Sequence, residues 1–451
     1  MERDPAGQER DGVLRLLSLE LIFSDERCAA ELGDEKLLAA MARFEGALAV
    51  ASARAGLVSE AHARIIEEVS ARASFDAAAL AREARTAGAL AIPFVAALRA
   101  QIPAEAARYV HFGATSQDVM DTAVALCMKA AAERITSLAF DLGDAAAALA
   151  RRHSGTPTVA RTLLQPAAPV PFGWKAAMWL APLARALPHW RTAVEEACVL
   201  QLGGAAGTLS AFQDKAGVVA NELSKRLNLT RAVTWHSARD GFARLGNELA
   251  ILTGIAAKSA RDVALLMQPE VGEVAEPAAP GRGGSSSMPH KRNPSGSLLA
   301  LEAAQRAPAL AATLLGQLGP EHERGIGQWQ SQWFTLRALA LGASSALGAM
   351  AEVLKGLEVD AAAMRANLER SQGLVFSEAV SLRLSRALAD RLCEQAVREK
   401  KHLRDVMRAD PEVMRAIPAD ELAQFFHPER NFGTAGAMIE RVLADWQAQR
   451  A

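Results

Sequence analysis

Between Ser116 and Pro157 the chain reads SQDVMDTAVALCMKAAAERITSLAFDLGDAAAALARRHSGTP. From Val119, the residues Ala123, Leu126, Ala130, Leu138 and Leu142 follow one face at helical spacing, and Asp121, Lys129, Glu133 and Asp144 intervene. Ser116 and Asp118 offer capping oxygens at the start, and His153-Ser154-Gly155-Thr156-Pro157 breaks the pattern. The spacing predicts one helix of roughly forty residues, against an average of about 12. A helix of that length would leave its apolar stripe in water if it stood alone, so a bundle is expected.

Similar runs cover 170–200, 209–227, 236–267, 297–318 and 328–357, the first with Pro182 and Pro188 as expected kinks. Alanine dominates, the chain has one tyrosine and 5% aromatic residues, and alternating apolar/polar runs are nearly absent. The class is therefore all-α. The flanks hold shorter helices, broken at Gly33, Gly56 and Pro93 on one side and at Gly373, Pro411, Pro418 and Pro428 on the other. This divides the chain into an N-terminal helical domain (1–110), a central long-helix bundle (111–357) and a C-terminal helical domain (358–451). The bundle's apolar surface exceeds what one chain covers, so a homo-oligomer is expected.

Of 451 residues, 50 are Lys or Arg and 51 are Asp or Glu, a net charge of -1. No basic footprint points to nucleic acid or to a membrane surface. Cys28, Cys127, Cys198 and Cys393 are scattered without a CxxC, which speaks against a disulfide scaffold or a zinc site and for a reducing compartment. The N-terminal MERDPAGQERDG lacks the apolar core of a secretory signal. The nearly apolar stretch from Ala338 to Ala351 is shorter than the ~18 residues of a membrane span. A soluble cytoplasmic protein is the expectation. No GxGxxG at a strand–helix turn, no P-loop and no HExxH is present, so neither cofactor nor metal is implied. GGAAG at 203–207 reads as a tight turn or a substrate-contact loop.

The segment Pro277 to Pro294, PAAPGRGGSSSMPHKRNP, interrupts the helices. Its glycines permit unusual dihedrals, and its serines, His290, Lys291, Arg292 and Asn293 supply hydroxyls, cations and an amide. A plain linker has no need of MPHKRNP directly behind the serines. GSSSMPHKRNP resembles the GSSxMPxKxNP signature of the fumarase/aspartase superfamily, enzymes that make or break a C–O or C–N bond β to a carboxylate. The resemblance implies a three-domain helical chain in a homotetramer with a twenty-helix core, its active sites shared among three subunits. HFGATSQDVMDT at 111–122 resembles the HxGxTSxDVxDT segment of the adenylosuccinate-lyase-like branch. ARTLLQP at 160–166 aligns with the superfamily's GRTH segment, with Leu163 where the lyases carry a histidine that protonates the leaving group. HERGIGQW at 322–329, VLQLGGAAGTLSAF, WHSARD and GLVFSEAV are similar to the lactonising, carboxymuconate-cyclising branch. In that chemistry the leaving group of the reverse reaction is a carboxylate, whose pKa of about 4 lets it depart unprotonated.

The resemblance implies Ser285 as the proton carrier, helped by Lys291 and the loop amides, with His111 as a third catalytic candidate. Thr115, Ser116, Arg239, Asn293 and Arg324 are candidates for binding a small tricarboxylate. Ser116 reads equally as an N-cap, Arg239 and Arg324 as interhelical ion pairs, and His111 as a structural histidine. Ser286 and Ser287 read as loop solvation, and Trp329 with Trp333 as packing. The alternatives are a fumarate-releasing lyase of the adenylosuccinate or argininosuccinate type, and a non-catalytic helical oligomer of the same fold.

Overall fold

The computed structural model describes residues 18–450, and the N-terminal stretch read above as no signal lies outside them. The decisive helix runs Ser116–Arg152. Four more long helices follow: Phe172–Ala197, Asp240–Leu266, Ser295–Leu315 and Gln328–Lys355. Pro182 and Pro188 both lie inside the Phe172 helix, and Pro308 lies inside the Ser295 helix. The run at 209–227 is instead divided: a 3-10 turn at Ser210–Lys215, with Gln213 out of helical geometry, precedes the helix Ala216–Leu227.

The fold is helical, with short strands that the periodicity did not announce. Pro157–Thr162 pairs antiparallel with Gln165–Pro171 in a hairpin. Its two tip residues, Leu163 and Leu164, have φ of 50° and 67°. Turns with both central residues at positive φ favour Asn and Gly, so leucines here carry strain. Both are also exposed, at 97% and 72%.

Two compact units make up the chain. The first comprises Met1–Ser137, His189–Ile251 and Gln305–Ser345; the second comprises Leu138–Pro188, Leu252–Ala304 and Ala346–Ala451. Their boundaries fall within the long helices. In the first unit, Met41, Phe44, Leu48, Ile66, Phe94, Leu98, Met120 and Phe212 form a buried core. Each such side chain contributes roughly 1.5–3 kcal/mol. In the second, Val380, Leu392, Leu403, Met407, Val413 and Ile417 close a smaller core among the C-terminal helices.

Among the described residues, two helices are long and apolar enough to cross a membrane by length and composition. The Gln328 helix is 72% buried over its apolar window, so its apolarity is spent on the protein's own core; the Ser295 helix is only 28% buried. Cys28, Cys127 and Cys198 are buried and free, and burial pushes their thiols up to about 11, 12 and 12. Thiols so protonated are unreactive at neutral pH.

Candidate active site

In the first unit, the start of the Ser116 helix is organised by a fully buried carboxylate, Asp118. It accepts the backbone N–H of Thr115 at 3.0 Å, while its own N–H donates to the Thr115 carbonyl at 2.9 Å. The carboxylate thus supplies one half of a capping box, the third helical residue satisfying the N–H at the helix start. The Ser116 hydroxyl bonds no protein group among the described residues, and neither does that of Thr115. Asp118 also accepts from Gly203 N (2.8 Å), Gly204 N (2.9 Å), Gln201 Nε2 (3.2 Å) and His236 Nε2 (2.8 Å). One carboxylate thus ties the 115–118 segment to the GGAAG turn and to the WHSARD segment. Glycine is required at 203, because a Cβ there would collide with the Thr234 hydroxyl.

One turn further along, Asp121 takes Arg239 on both oxygens, from Nη1 at 2.6 Å and Nη2 at 3.1 Å. Gln332 Oε1 accepts Arg239 Nε at 2.9 Å, and the guanidinium lies over the rings of Trp235 and Phe242 at 4.6 and 5.2 Å. Arg239 is 1% exposed. The geometry therefore favours the interhelical ion pair over substrate binding for this residue, because its donors are committed inside the protein. Gln117 bridges the two carboxylates' surroundings, donating to Asp121 Oδ2 at 3.0 Å and to the His236 carbonyl at 2.9 Å.

Arg324 is half-buried. Its Nε donates to Gln117 Oε1 at 3.0 Å and its Nη2 to the Ala205 carbonyl at 3.1 Å, so it latches the GGAAG turn and keeps Nη1 without a protein partner among the described residues. His111, at φ 63°, gives its backbone N–H and its Nδ1 to Glu45 at 2.8 and 2.6 Å. Burial pulls the imidazole's pKa down, but the charge and hydrogen bond of Glu45 outweigh it and raise it above the ordinary histidine value. Trp329 packs edge-on against Trp333 at 4.8 Å and belongs to the first unit's core.

In the second unit, the serine loop hangs from a built neck. Glu276 is buried and accepts Gly296 N (2.9 Å), Ser297 N (2.8 Å) and Ser297 Oγ (2.7 Å), with Arg282 at 3.8 Å. Asn293 closes the neck: its N–H donates to the Gly283 carbonyl at 2.8 Å and its amide to that of Gly284 at 3.3 Å. At the tip, Ser285 Oγ accepts two backbone amides, Met288 N at 3.1 Å and Ser287 N at 3.3 Å. Donors aimed at one hydroxyl oxygen stabilise its anionic form, as proton transfer requires. Ser286, Ser287 and Lys291 are exposed. The 157–171 hairpin is braced at its stem, where Glu273 accepts Arg161 (2.6 and 3.0 Å), Thr158 (3.1 Å) and Asn367 (2.8 Å).

Sequence reasoning passed over Glu45, Asp121, Gln201 and Gln332. Glu45 had a legible signal, since it shares a helical stripe with Leu38, Met41 and Leu48, all buried. The others signalled nothing locally; Arg239 and Asp121 are 118 positions apart.

A family profile described as "Lyase" matches residues 22–308, and one described as "Adenylosuccinate lyase C-terminus" matches 373–442. The chain is 47% identical to a 3-carboxy-cis,cis-muconate cycloisomerase of Bradyrhizobium diazoefficiens, over 94% of this chain and 96% of that one. It is 40% identical to a nitrosuccinate lyase of Streptomyces davaonensis, over 92% and 91%. The crystal structure of the 3-carboxy-cis,cis-muconate lactonizing enzyme from Pseudomonas putida superposes with a TM-score of 0.91 at 38% identity, covering 96% of this chain and 99% of that one.

Proposed function

The chain belongs to the lyase family of enzymes, the fumarase/aspartase superfamily, and on that premise we propose that it cyclises 3-carboxy-cis,cis-muconate to γ-carboxymuconolactone in protocatechuate breakdown by the β-ketoadipate route. One carboxylate of the substrate adds to the substrate's own double bond. The C–O bond forms, and the π electrons move onto the neighbouring carboxylate as a dianionic aci-carboxylate. Ser285 then gives its proton to the carbon beside that carboxylate, and solvent returns a proton to the serine. The observation that carries this reading is the pair of loop amides on Ser285 Oγ, which hold the alkoxide left by proton donation. Lys291 and Asn293 bind carboxylates, as do the free hydroxyls of Thr115 and Ser116 at the helix start and the remaining Nη of Arg324. His111 completes the catalytic set.

Leu163 supports lactonisation over amine release. It puts an apolar, exposed side chain at the hairpin tip, and a carboxylate leaving group needs no acid there. Leu163→His therefore does not accelerate lactonisation at neutral pH. The same proposal includes the three-domain division, a cytoplasmic location suited to free cysteines, and a homotetramer with sites built from three copies. The tetramer reading is supported by the Ser295 helix, whose apolar residues Leu298 and Leu315 are exposed in the single chain.

The test is a spectrophotometric assay of the purified protein with 3-carboxy-cis,cis-muconate, run beside adenylosuccinate and nitrosuccinate. Ring closure with the first alone is expected; turnover of either other substrate and none of the first would overturn the reading. Light scattering should give a mass roughly four times 47.8 kDa.

A further inference from the structure

With Arg239 committed to Asp121, the first unit must answer a trianionic substrate with other cations. His111 is the group arranged for it. A carboxylate only accepts hydrogen bonds. Glu45, with its side chain fully buried, therefore fixes the proton on Nδ1 through the 2.6 Å bond, and its second oxygen pins the residue's backbone N–H at 2.8 Å. The backbone at His111 sits in the left-handed region, and the double anchor holds it there. Nε2 points away from this pair and has no protein partner among the described residues, while the side chain keeps 16% of its surface exposed.

We infer that Glu45 is a positioning residue that holds His111 as an imidazolium with Nδ1 turned inward, so that Nε2–H is presented to a substrate carboxylate. The inference rests on the proposed trianionic substrate for its second half only. Three charged groups act on the ring. Glu45 and Asp118 favour its charged form, and Arg99, whose Nη2 donates to the Val110 carbonyl at 2.8 Å, opposes it. Glu45 is the only one of the three in direct contact with the ring. Its burial also keeps its charge unscreened by salt.

The experiment measures the pH dependence of diethylpyrocarbonate labelling at His111 by peptide mass spectrometry, since the reagent attacks only an unprotonated ring nitrogen. In the wild-type protein the labelling midpoint of His111 should lie above the ordinary histidine value of 6.5. In Glu45→Gln it should fall by about one unit or more, as expected when an opposite charge within a few ångströms is removed. The kcat/KM of Glu45→Gln on 3-carboxy-cis,cis-muconate should lose most at the alkaline end, through KM, and Glu45→Asp should restore part of the alkaline activity. A His111 midpoint unchanged in Glu45→Gln, or a Glu45→Gln loss that is uniform across pH, would overturn the inference. A wild-type protein without turnover would sink the cycloisomerase reading alone, and the labelling comparison would still judge the Glu45–His111 pair.

Discussion

The buried network around Asp118 and Asp121 and the serine loop at 284–292 are built in opposite ways. In the first, the buried carboxylates are saturated by protein donors: Asp118 takes five, and Asp121 with Gln332 takes up the guanidinium of Arg239. In the second, Lys291, Ser286 and Ser287 are exposed, while the Ser285 oxygen, the neck and Arg292, which donates to the Glu276 carbonyl at 2.8 Å, are fixed. The contrast separates two tasks. Saturated carboxylates set the positions of backbone segments, and they stabilise only while every partner remains. An exposed loop keeps its functional groups available for a ligand, and its substitution leaves folding nearly untouched.

The sharpest way to break this comparison is Ser285→Ala. Turnover should fall by about 10²–10⁴-fold, with thermal unfolding moved by no more than about 0.5 kcal/mol; a large loss of stability would mean that the loop is structural. Asp121→Asn probes the other side. It leaves the Arg239 charge buried and uncompensated, and denaturant unfolding should register a loss of about 3–5 kcal/mol. A near-neutral result would show that the network is not what holds these segments. Gly203→Ala presses a methyl against Thr234 and should cost about 1–3 kcal/mol, read as a lower unfolding midpoint with a raised KM.

The smallest effects distinguish two histidines. The pKa of His111 is raised in the folded state, so its contribution is fully present below the ordinary value of 6.5 and is lost as pH rises through the folded value. His402 has the opposite sign. Its Nδ1 caps the helix Leu403–Ala409 by accepting Arg404 N at 3.1 Å, which only a neutral ring can do. Burial lowers its pKa, and the charge of Arg404 adds to this; the cap is intact above 6.5 and is lost as pH falls through the depressed value. His402→Ala should cost about 1 kcal/mol at pH 8 and progressively less in acid, whereas His111→Asn should cost more in acid than at pH 8. Paired stability curves against pH would show the two slopes crossing.

Most of the architecture was legible because helical periodicity survives in an alanine-rich chain: the Ser116, Asp240 and Gln328 helices begin and end close to their sequence breaks. The 157–171 hairpin was not, because Pro166, Pro169 and Pro171 disrupt alternation and the strands are fixed by Glu273, more than a hundred positions away. At the site, the loop announced itself through composition. The fate of Arg239 could not be read locally, since an arginine's role depends on whether a carboxylate from another helix reaches it first.

The hairpin has one further consequence. Its stem is locked by Arg161 and Glu273, so the strands do not depend on which two residues occupy the bend. The tip is thus an interchangeable fitting: evolution, or an engineer, can swap Leu163 for an acid, a base or an aromatic without redesigning the scaffold beneath. A braced stem with a replaceable bend is a physical route by which one helical framework can serve catalysts with different departing groups.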